Sequence, residues 1–340
     1  MVQHEITEMT DLLTSEGCVA SPGFARMMRV NYNREMIKTH IFSLKEWDFY
    51  QILHGDWVLQ LTIGHVSYMS SVSAVLYNLR DNRCLSFNKM KLFPLRSLPM
   101  PRNPEVPNEL KMEGKDFFAH FSVDGERRHL IMKADDEGAG SFDIDITLPN
   151  NPNNEKMVIV TPFRHNPRQF YLNYKENYWR AEGYAKAGGV TVEYDDSTVA
   201  LIDWGRGVWP FTQEWFWGNG TGWADGKHFG FNIGWGFGDL SRATENFFFF
   251  EDKAYKLGVL EFERDAGDYM KPWHFRSEDG DFDFTMNPIF DHYTETKLLF
   301  VNNHCHQVFG EWSGVATLPD GRKLEIDKLT AFCEHAENRW

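Results

Sequence analysis

Four carboxylates lie in or beside one aromatic segment of this 340-residue chain. Asp203 ends an apolar run, and Glu245 shortly precedes a run of four phenylalanines. A carboxyl at the border of a buried strand loses solvation, which raises its pKa and allows proton transfer near neutral pH. Asp203, Glu245 and Asp239 are therefore the candidate catalytic acids, and Glu214 is a fourth carboxylate near the same segment.

Arg206 and Asn232 are the candidate groups for orienting a substrate oxygen. Arg206 lies three residues after Asp203, so it could instead form a structural ion pair with that acid or with another one. Asn232 stands among glycines, and its neutral amide can both donate to and accept from a ligand. Because structural ion pairs explain such acids more often than catalysis does, both interpretations stay open.

The segment from residue 203 to residue 238 holds six of the 12 tryptophans and ten of the 27 glycines. Flat rings beside residues without side chains leave room for a ligand and can stack on it. A tightly packed barrel corner explains the same composition equally well. The candidate ligand contacts are Trp204, Trp209, Trp215, Trp217 and, near the C-terminus, His335.

The strand predicted at residues 227–239 has an aromatic face and a nearly bare face. If the aromatic face fills a barrel, the glycine face must lie against another sheet or domain. If the glycine face points inward, Asn232 and His228 are the polar groups on a roomy floor. We expect the first arrangement, which is the commoner one. The aromatic face carries Phe229, Phe231, Ile233, Trp235 and Phe237.

Strand and turn signals dominate the whole chain. Asp-Gly dipeptides at 124–125, 225–226, 279–280 and 320–321 predict tight hairpins. Helical periodicity is weak, and the best helical candidate, residues 43–53, could equally be a strand. Antiparallel barrels or a sandwich are therefore expected. Strands are predicted at residues 57–63, 70–79, 141–147, 158–161, 199–206, 247–250, 257–262, 281–284, 297–301 and 307–316.

The length of the chain predicts two domains, because a single core stops growing at about 250–300 residues. We place the domains at residues 1–187 and 188–340, with a hinge in the stretch 185–197. Five prolines between residues 92 and 108 exclude a central strand there. That segment is either a surface crossover, which is the commoner case, or a cover over a barrel mouth.

Composition restricts the partners. With 35 basic and 49 acidic residues, the net charge of −14 disfavours nucleic acid and anionic membranes. We expect no membrane span, and the lack of a secretory signal with four scattered cysteines favours the cytoplasm. No nucleotide-binding motif is present, so no cofactor is expected. Zinc-compatible side chains match no established spacing, and no metal is expected: His304, Cys305, His306, Cys333 and His335.

Several motifs resemble a bacterial and fungal family called domain of unknown function 2804. The resemblance covers most of the chain and is most specific in residues 203–257. The motifs are Asp203–Gly207, Gly230–Asp239, Thr244–Asn246, Lys256–Leu257, Gln307–Gly310, Asp320–Gly321, Glu334–His335 and Arg339–Trp340, with Ser21–Gly23 and Lys45–Trp47 in the first half.

More distantly, the layout is similar to the AttH and carotenoid 1,2-hydratase group. That resemblance implies an all-β protein of two antiparallel, lipocalin-like (calycin-type) barrels with little helix, an apolar cavity and cofactor-independent chemistry. The specific hydratase residues cannot be transferred, since no motif connects them to this chain.

Three functions follow as hypotheses. The first is an acid/base enzyme, as a hydratase, lyase, isomerase or cyclase, acting on a small, largely apolar molecule held in a barrel cavity. The second is a glycoside-active enzyme with paired carboxylates. The third is a non-catalytic small-molecule carrier, since barrel folds host both carriers and catalysts. The oligomeric state is not predicted.

Overall fold

The protein is built from antiparallel β-strands. The structure, a computed structural model, describes residues 2–94, 98–298 and 301–339. It is 64% strand and 2% helical, which confirms the predicted all-β class. Helix in the described part is limited to two 3₁₀ turns, Arg34–Met36 and Ile41–Ser43. None of the helices described is long and apolar enough to cross a membrane.

The first sixteen strands run from the N-terminus to Val208. They are β1 (Thr10–Asp11), β2 (Gly23–Ala25), β3 (Val30–Asn31), β4 (Leu44–His54), β5 (Trp57–His65), β6 (Met69–Asn78), β7 (Cys84–Leu92), β8 (Asn108–Gly114), β9 (Phe117–Val123), β10 (Arg127–Asp136), β11 (Gly140–Pro149), β12 (Met157–Phe163), β13 (Asn166–Tyr178), β14 (Glu182–Ala187), β15 (Val190–Tyr194) and β16 (Val199–Val208).

The remaining nine strands follow. They are β17 (Thr212–Ala224), β18 (Lys227–Trp235), β19 (Phe247–Phe250), β20 (Lys253–Lys256), β21 (Leu260–Glu263), β22 (Trp273–Ser277), β23 (Phe282–Leu298), β24 (Val301–Thr317) and β25 (Lys323–Arg339). The predicted strand at 297–301 spans the end of β23 and the start of β24, and its residues 299–300 lie outside the described part.

Two sheets enclose the first hydrophobic core. Eight strands pair in the order β2-β12-β13-β16-β4-β5-β6-β7, and six pair in the order β15-β14-β11-β10-β9-β8. Inward side chains from both sheets form one continuous apolar cluster. The chain passes between the sheets four times, so the two sheets form one barrel-like unit.

The second unit is a single nine-stranded sheet that curls on itself. Its order is β20-β19-β18-β17-β25-β24-β23-β22-β21, so β20 and β21 are its opposite edges. Only residues 257–259 join these two edges in the chain. Because three residues span only about 10 Å, the sheet has to curl until its edges meet. The protein thus has the predicted two lipocalin-like barrels.

The four Asp-Gly dipeptides all lie in hairpin turns, as predicted. They connect β9 to β10, β17 to β18, β22 to β23 and β24 to β25. Gly125, Gly226, Gly280 and Gly321 have φ values of 99°, 72°, 78° and 84°. Glycine adopts this left-handed conformation without a Cβ clash, which is why these dipeptides mark the turns.

The proline-rich segment does more than cross the surface. Residues 95–97 lie outside the described part, but Leu98 and Met100 pack into the first core. The carbonyls of Pro101 and Pro104 accept hydrogen bonds from the buried Arg206 and Arg128. The segment therefore covers one end of the first barrel, which was the less expected alternative.

Sheet membership changes later in the chain than expected. Strands β14 and β15 pair with each other in the six-stranded sheet, so the expected hinge at 185–197 is a hairpin. Strand β16 pairs on both sides with β13 and β4 of the first unit. The change of sheet falls between Val208 and Thr212. The division at residue 187 into two folding domains stays a prediction.

Candidate functional site

A cavity of about 440 Å³ lies between the two barrels, rather than inside either one. Side chains alternate across a strand, so those that do not enter a barrel core face the other barrel. On β4, Tyr50 and Ile52 enter the first core. Their neighbours Trp47 and Phe49 line the cavity. The eight-stranded and nine-stranded sheets thus form the two walls.

Strand register brings the polar groups together. In the first sheet Asp203 pairs with Lys175 on one side and with Phe49 on the other. In the second sheet Glu334 pairs with Trp217 on one side and Gln307 on the other. Directly paired residues share a face of the sheet. Each wall therefore presents a row of adjacent side chains to the cavity.

Asp203 and Glu245 meet at one buried lysine. The Nζ of Lys175 lies 3.0 Å from Oε2 of Glu245 and 3.9 Å from Oδ1 of Asp203. It also donates to Oδ1 of Asn173 at 2.6 Å and lies 4.5 Å from the ring centre of Trp217. One cation thus neutralises part of the charge of two carboxylates that line the same cavity.

Burial raises the pKa of Asp203 above its ordinary value. The nearby charge of Glu245 raises it further, whereas Lys175 and hydrogen bonds from Asn173 and Trp47 oppose the shift. Asp203 is 8% exposed, and the atoms it exposes face the cavity. Its position supports the expectation that an acid at the end of this apolar strand is desolvated.

Glu334 is a third carboxyl on the cavity wall. Its Oε1 accepts a hydrogen bond of 2.9 Å from the indole Nε1 of Trp215. Burial raises the pKa of Glu334 to about 7, and the charge of Asp203 adds to that rise, while Trp215, Cys305 and Lys175 oppose it. A carboxyl with a pKa near 7 holds and releases a proton at neutral pH.

Aromatic rings form one end of the cavity. Trp47, Tyr171, Trp209, Trp215 and Phe237 contact each other, mostly edge to face, with centroids 4.7–6.1 Å apart. Three of the predicted tryptophans, Trp209, Trp215 and Trp217, line the cavity. Trp215 and Trp217 share a face of β17, as predicted.

Two glycines of β16 allow the indoles to lie against the sheet. A Cβ on Gly205 would lie 1.9 Å from Cζ2 of Trp47, and one on Gly207 would lie 2.2 Å from Nε1 of Trp209. Neither glycine has a positive φ, so close approach is their reason. These two glycines therefore serve both purposes considered from the sequence: they allow tight packing, and the rings packed on them line the cavity.

The glycine face of β18 packs against the first barrel, as expected. Phe229, Phe231 and Ile233 fill the second core. On the other face, a Cβ on Gly230 would lie 2.9 Å from Nδ2 of Asn177 in the first barrel, and one on Gly234 would lie 2.3 Å from Oε1 of Glu245. The bare strand thus makes room for the carboxylate above it.

Asn232 lies behind the cavity wall and does not line the cavity. It is fully buried, accepts a hydrogen bond of 2.8 Å from Nε1 of Trp217, and donates to the carbonyl of Glu245 at 2.8 Å. It also lies 3.2 Å from Oε2 of Glu245. Asn232 therefore orients two cavity residues and does not itself face the ligand space.

Arg206 and Trp204 point into the first barrel, so the structure places these two candidate ligand contacts away from the cavity. Both side chains are completely buried. The guanidinium of Arg206 donates to Asp48 at 2.8 Å and lies 3.9 Å from the ring centre of Trp204. The cause is alternation, because even-numbered residues of β16 face the barrel core while Asp203 faces the cavity.

The structure places three other candidates away from the cavity. Asp239 pairs with Arg164 at 3.1 Å, which lowers the pKa of that aspartate. His335 lies 2.9 Å from Oε1 of Glu214 and 2.6 Å from the hydroxyl of Tyr269, at the end of the second barrel. Of the four carboxylates considered from the sequence, only Asp203 and Glu245 line the cavity.

A cluster of amides crosses between the sheets at the cavity wall. The Nε2 of Gln60 lies 2.6 Å from Oε1 of Gln307, 2.9 Å from Oε1 of Gln51 and 3.0 Å from the hydroxyl of Tyr77. The Tyr77 hydroxyl also lies 3.3 Å from Oε1 of Gln307. These contacts fix both cavity-lining amides.

Sequence reasoning missed Lys175, Glu334, Trp47 and the amides. Lys175 lies in β13 beside the polar residues Asn173, Glu176 and Asn177, so the local sequence gives no sign that it is buried. Glu334 is next to His335, but only one of two adjacent strand residues can face the cavity. Which one it is depends on the register of β25, which the sequence does not reveal.

The zinc-compatible side chains remain separate. Among the residues that the structure describes, no group of three or more histidines, cysteines or acids is close enough to hold a metal. His304 and His306 contact Tyr293 and Asp291 on the second barrel, while Cys333 is in its core.

Comparison with known proteins places both sequence and fold. Residues 3–340 match the family described as Domain of unknown function (DUF2804). No curated protein matches the chain in sequence.

Solved structures of similar fold include three proteins. Kievitone hydratase from Nectria haematococca has a TM-score of 0.53 at 11% identity, covering 87% of this chain and 88% of its own. CghA has a TM-score of 0.54 at 9% identity, covering 98% and 97%. An AttH-like protein from Nitrosomonas europaea has a TM-score of 0.50 at 11% identity, covering 91% and 96%. These likenesses concern the fold.

Proposed function

Because the chain belongs to the family Domain of unknown function (DUF2804), which supplies no activity, we propose a function from the cavity itself. The protein is an acid/base enzyme that acts on a small, largely apolar organic molecule bound between its two barrels. Hydration of a carbon–carbon double bond, or the related isomerisation or cyclisation, is the reaction class. One observation carries this proposal: Asp203, Glu245, Glu334 and Lys175 all face one aromatic cavity.

Glu334 is the proton donor in this proposal. With a pKa of about 7 it is protonated in a large share of the molecules at neutral pH, and it is held by the indole of Trp215. Asp203 is the base. Lys175 and Asn173 stabilise its ionised form, although burial raises its pKa above the ordinary value. A donor and a base facing one cavity can complete a proton transfer without a net change of charge.

Glu245 has a supporting role, in place of the proton donor expected from the sequence. Its Oε2 is occupied by Lys175 and Asn232. It therefore fixes the lysine that polarises Asp203. The aromatic rings would hold the apolar body of the substrate and exclude water, which strengthens the electrostatic interactions inside the cavity.

Two lines support hydration as the first reaction to test. Aromatic and apolar groups supply most of the surface of the cavity, and polar side chains converge on it from both walls. One of the structures with a similar fold is, by its name, a hydratase. A carrier would need no such carboxyl cluster, since three desolvated acids with one lysine between two of them cost free energy without aiding apolar binding.

The experiment is a substrate panel in heavy-oxygen water. Small alkenes, enones and polyenes are incubated with the protein, and mass spectrometry detects uptake of one heavy oxygen or a change of isomer. Turnover should fall as pH rises through about 7, where Glu334 loses its proton. It should also fall at acidic pH, where Asp203 takes up a proton.

Two variants and a control complete this test. Asp203→Asn and Glu334→Gln should each lower turnover by about 10²–10⁴-fold with little effect on binding. Asp239→Asn, which changes a carboxylate outside the cavity, should keep full turnover. Full turnover in Asp203→Asn and Glu334→Gln would show that the reaction does not use these carboxyls. If compounds of the panel bind but are not converted, the result instead supports the carrier hypothesis.

A further inference from the structure

Two glutamines on opposite walls of the cavity keep one polar atom each for a ligand. Gln307 is 5% exposed, and both it and Gln60 line the cavity. Contacts from Gln60 and Tyr77 use Oε1 of Gln307. Three acceptors lie within 3.0 Å of Nε2 of Gln60, and its two hydrogens are shared among them. Among the described residues, Nε2 of Gln307 and Oε1 of Gln60 have no hydrogen-bond partner.

These two free atoms have opposite character. The Nε2 of Gln307 is a donor, and the Oε1 of Gln60 is an acceptor. Because these contacts hold both amides, neither can rotate by itself without breaking a hydrogen bond between the sheets. Both atoms are open to the cavity and are not shut off from solvent, so a ligand that supplies an acceptor to Nε2 of Gln307 gains one net hydrogen bond there and binds selectively.

The donor lies next to the proton-carrying acid. Gln307 and Glu334 are directly paired across β24 and β25. Directly paired residues have Cβ atoms about 4.5–5.5 Å apart. Two atoms of one small molecule, a few bonds apart, can therefore contact Gln307 and Glu334 at the same time.

We propose that this cavity selects conjugated carbonyl compounds, with Gln307 donating a hydrogen bond to the carbonyl oxygen and Gln60 accepting one from the attacking water. This inference rests on the proposed function and names its substrate class, the α,β-unsaturated ketones and related enones. The aromatic rings around Trp209 and Trp215 hold the apolar part of such a molecule.

The reaction balances as a conjugate addition of water. Asp203 takes a proton from water as the water oxygen forms a bond to the β-carbon. The electrons of the carbon–carbon double bond move toward the carbonyl oxygen, where the N–H of Gln307 stabilises the enolate. Glu334 gives its proton to the α-carbon, and the proton on Asp203 returns to Glu334 through water. One water molecule is consumed, and nothing is oxidised or reduced.

The test compares two probes of nearly the same shape. trans-Chalcone carries the enone between two aryl rings, whereas trans-stilbene lacks the carbonyl. Equilibrium dialysis with mass spectrometry measures the binding of each. The wild type should bind chalcone about tenfold more tightly, the effect of one net hydrogen bond in a desolvated site. Equal binding of both probes, or binding of neither, overturns the inference.

Variants test whether Gln307 causes the preference for chalcone. Gln307→Glu replaces the donor with an acceptor, and Gln307→Leu removes it, so both should bind the two probes equally. Thr62→Val removes a different polar group from the same cavity and should keep the tenfold preference. Thermal unfolding verifies that each variant is folded. A preference that persists in folded Gln307→Glu and Gln307→Leu contradicts the assignment.

The outcome is separable from that of the proposed function. If chalcone is preferred through Gln307 but no compound of the panel reacts, the specificity stands and the enzymatic proposal fails. If unconjugated alkenes react through Glu334 with no enone preference, the enzymatic proposal stands and the specificity fails.

Discussion

At the scale of single residues, the site depends on one buried cation. Lys175 lies between Asp203 and Glu245, and no arginine contacts either acid in the described part of the chain. An isolated buried carboxylate is costly, whereas one that is paired and hydrogen-bonded is tolerated. The lysine is therefore what allows two acids to stay in an aromatic cavity.

Replacing this lysine should destabilise the fold. Lys175→Met leaves two buried carboxylates without a counter-ion, and we expect a loss of about 3–5 kcal/mol in the free energy of unfolding. Urea denaturation measures it. Adding Asp203→Asn and Glu245→Gln should restore much of the stability, because the uncompensated charges are then gone.

The matched control is Lys253→Met, which removes a lysine from an exposed pair with Glu155 at 3.4 Å. Surface pairs contribute about 0–1 kcal/mol, so this variant should be nearly neutral. If Lys175→Met costs no more than Lys253→Met, the cluster does not depend on its cation.

At the scale of elements, strand β16 separates the first core from the cavity. Its even-numbered residues enter the first barrel, and its odd-numbered residues, Asp203, Gly205 and Gly207, face the second. The bare stretch lets Trp47 and Trp209 lie flat on the sheet. The geometry of the aromatic wall thus follows from two missing side chains.

Adding a methyl group at Gly205 should displace the aromatic wall of the cavity. In Gly205→Ala the new Cβ would lie 1.9 Å from Cζ2 of Trp47, so the indole has to move. We expect a loss of about 1–3 kcal/mol, as for other overpacked sites, together with a change in tryptophan fluorescence. Gly64→Ala is the control, since its Cβ would meet Oγ of Ser71 at 3.3 Å. Similar effects from both variants would show that Trp47 is not held by Gly205.

Strands and hairpins were predictable because their signals are local. Alternation over residues 141–147 and the four Asp-Gly turns depend only on neighbours in the chain. Which face of β16 points inward depends on contacts with distant strands, so the sequence could not show that Arg206 enters the first barrel. The contact between Lys175, Asp203 and Glu245 joins three segments that are distant in the chain, and a single sequence does not reveal such contacts.

At the scale of the whole molecule, the two barrels share one interface. Beyond the cavity, the amides of Asn177 and Asn219 exchange hydrogen bonds of 3.2 and 3.1 Å across it. The polypeptide passes from one barrel to the other at residues 209–211, after β16 has completed the first. We propose that the folding units divide at this crossing.

Native-state hydrogen exchange should reveal this division. In mild denaturant the amides of β16 should open with those of β4, its direct neighbour, and with the same free energy. The amides of β17 should open with those of β25. If β16 instead exchanges with β17, the folding boundary lies before residue 199, nearer to the position expected from the sequence.

The most direct test of the account is the titration of Glu334. The protein is labelled with carbon-13 at glutamate carboxyls, and NMR follows each signal with pH, the Glu334→Gln variant identifying the relevant one. We predict a midpoint of about 7 for this carboxyl, which makes it a proton donor at neutral pH. If the Glu334 signal titrates at about 4.3 like an ordinary glutamate, the cavity holds no such donor and the proposed chemistry is wrong.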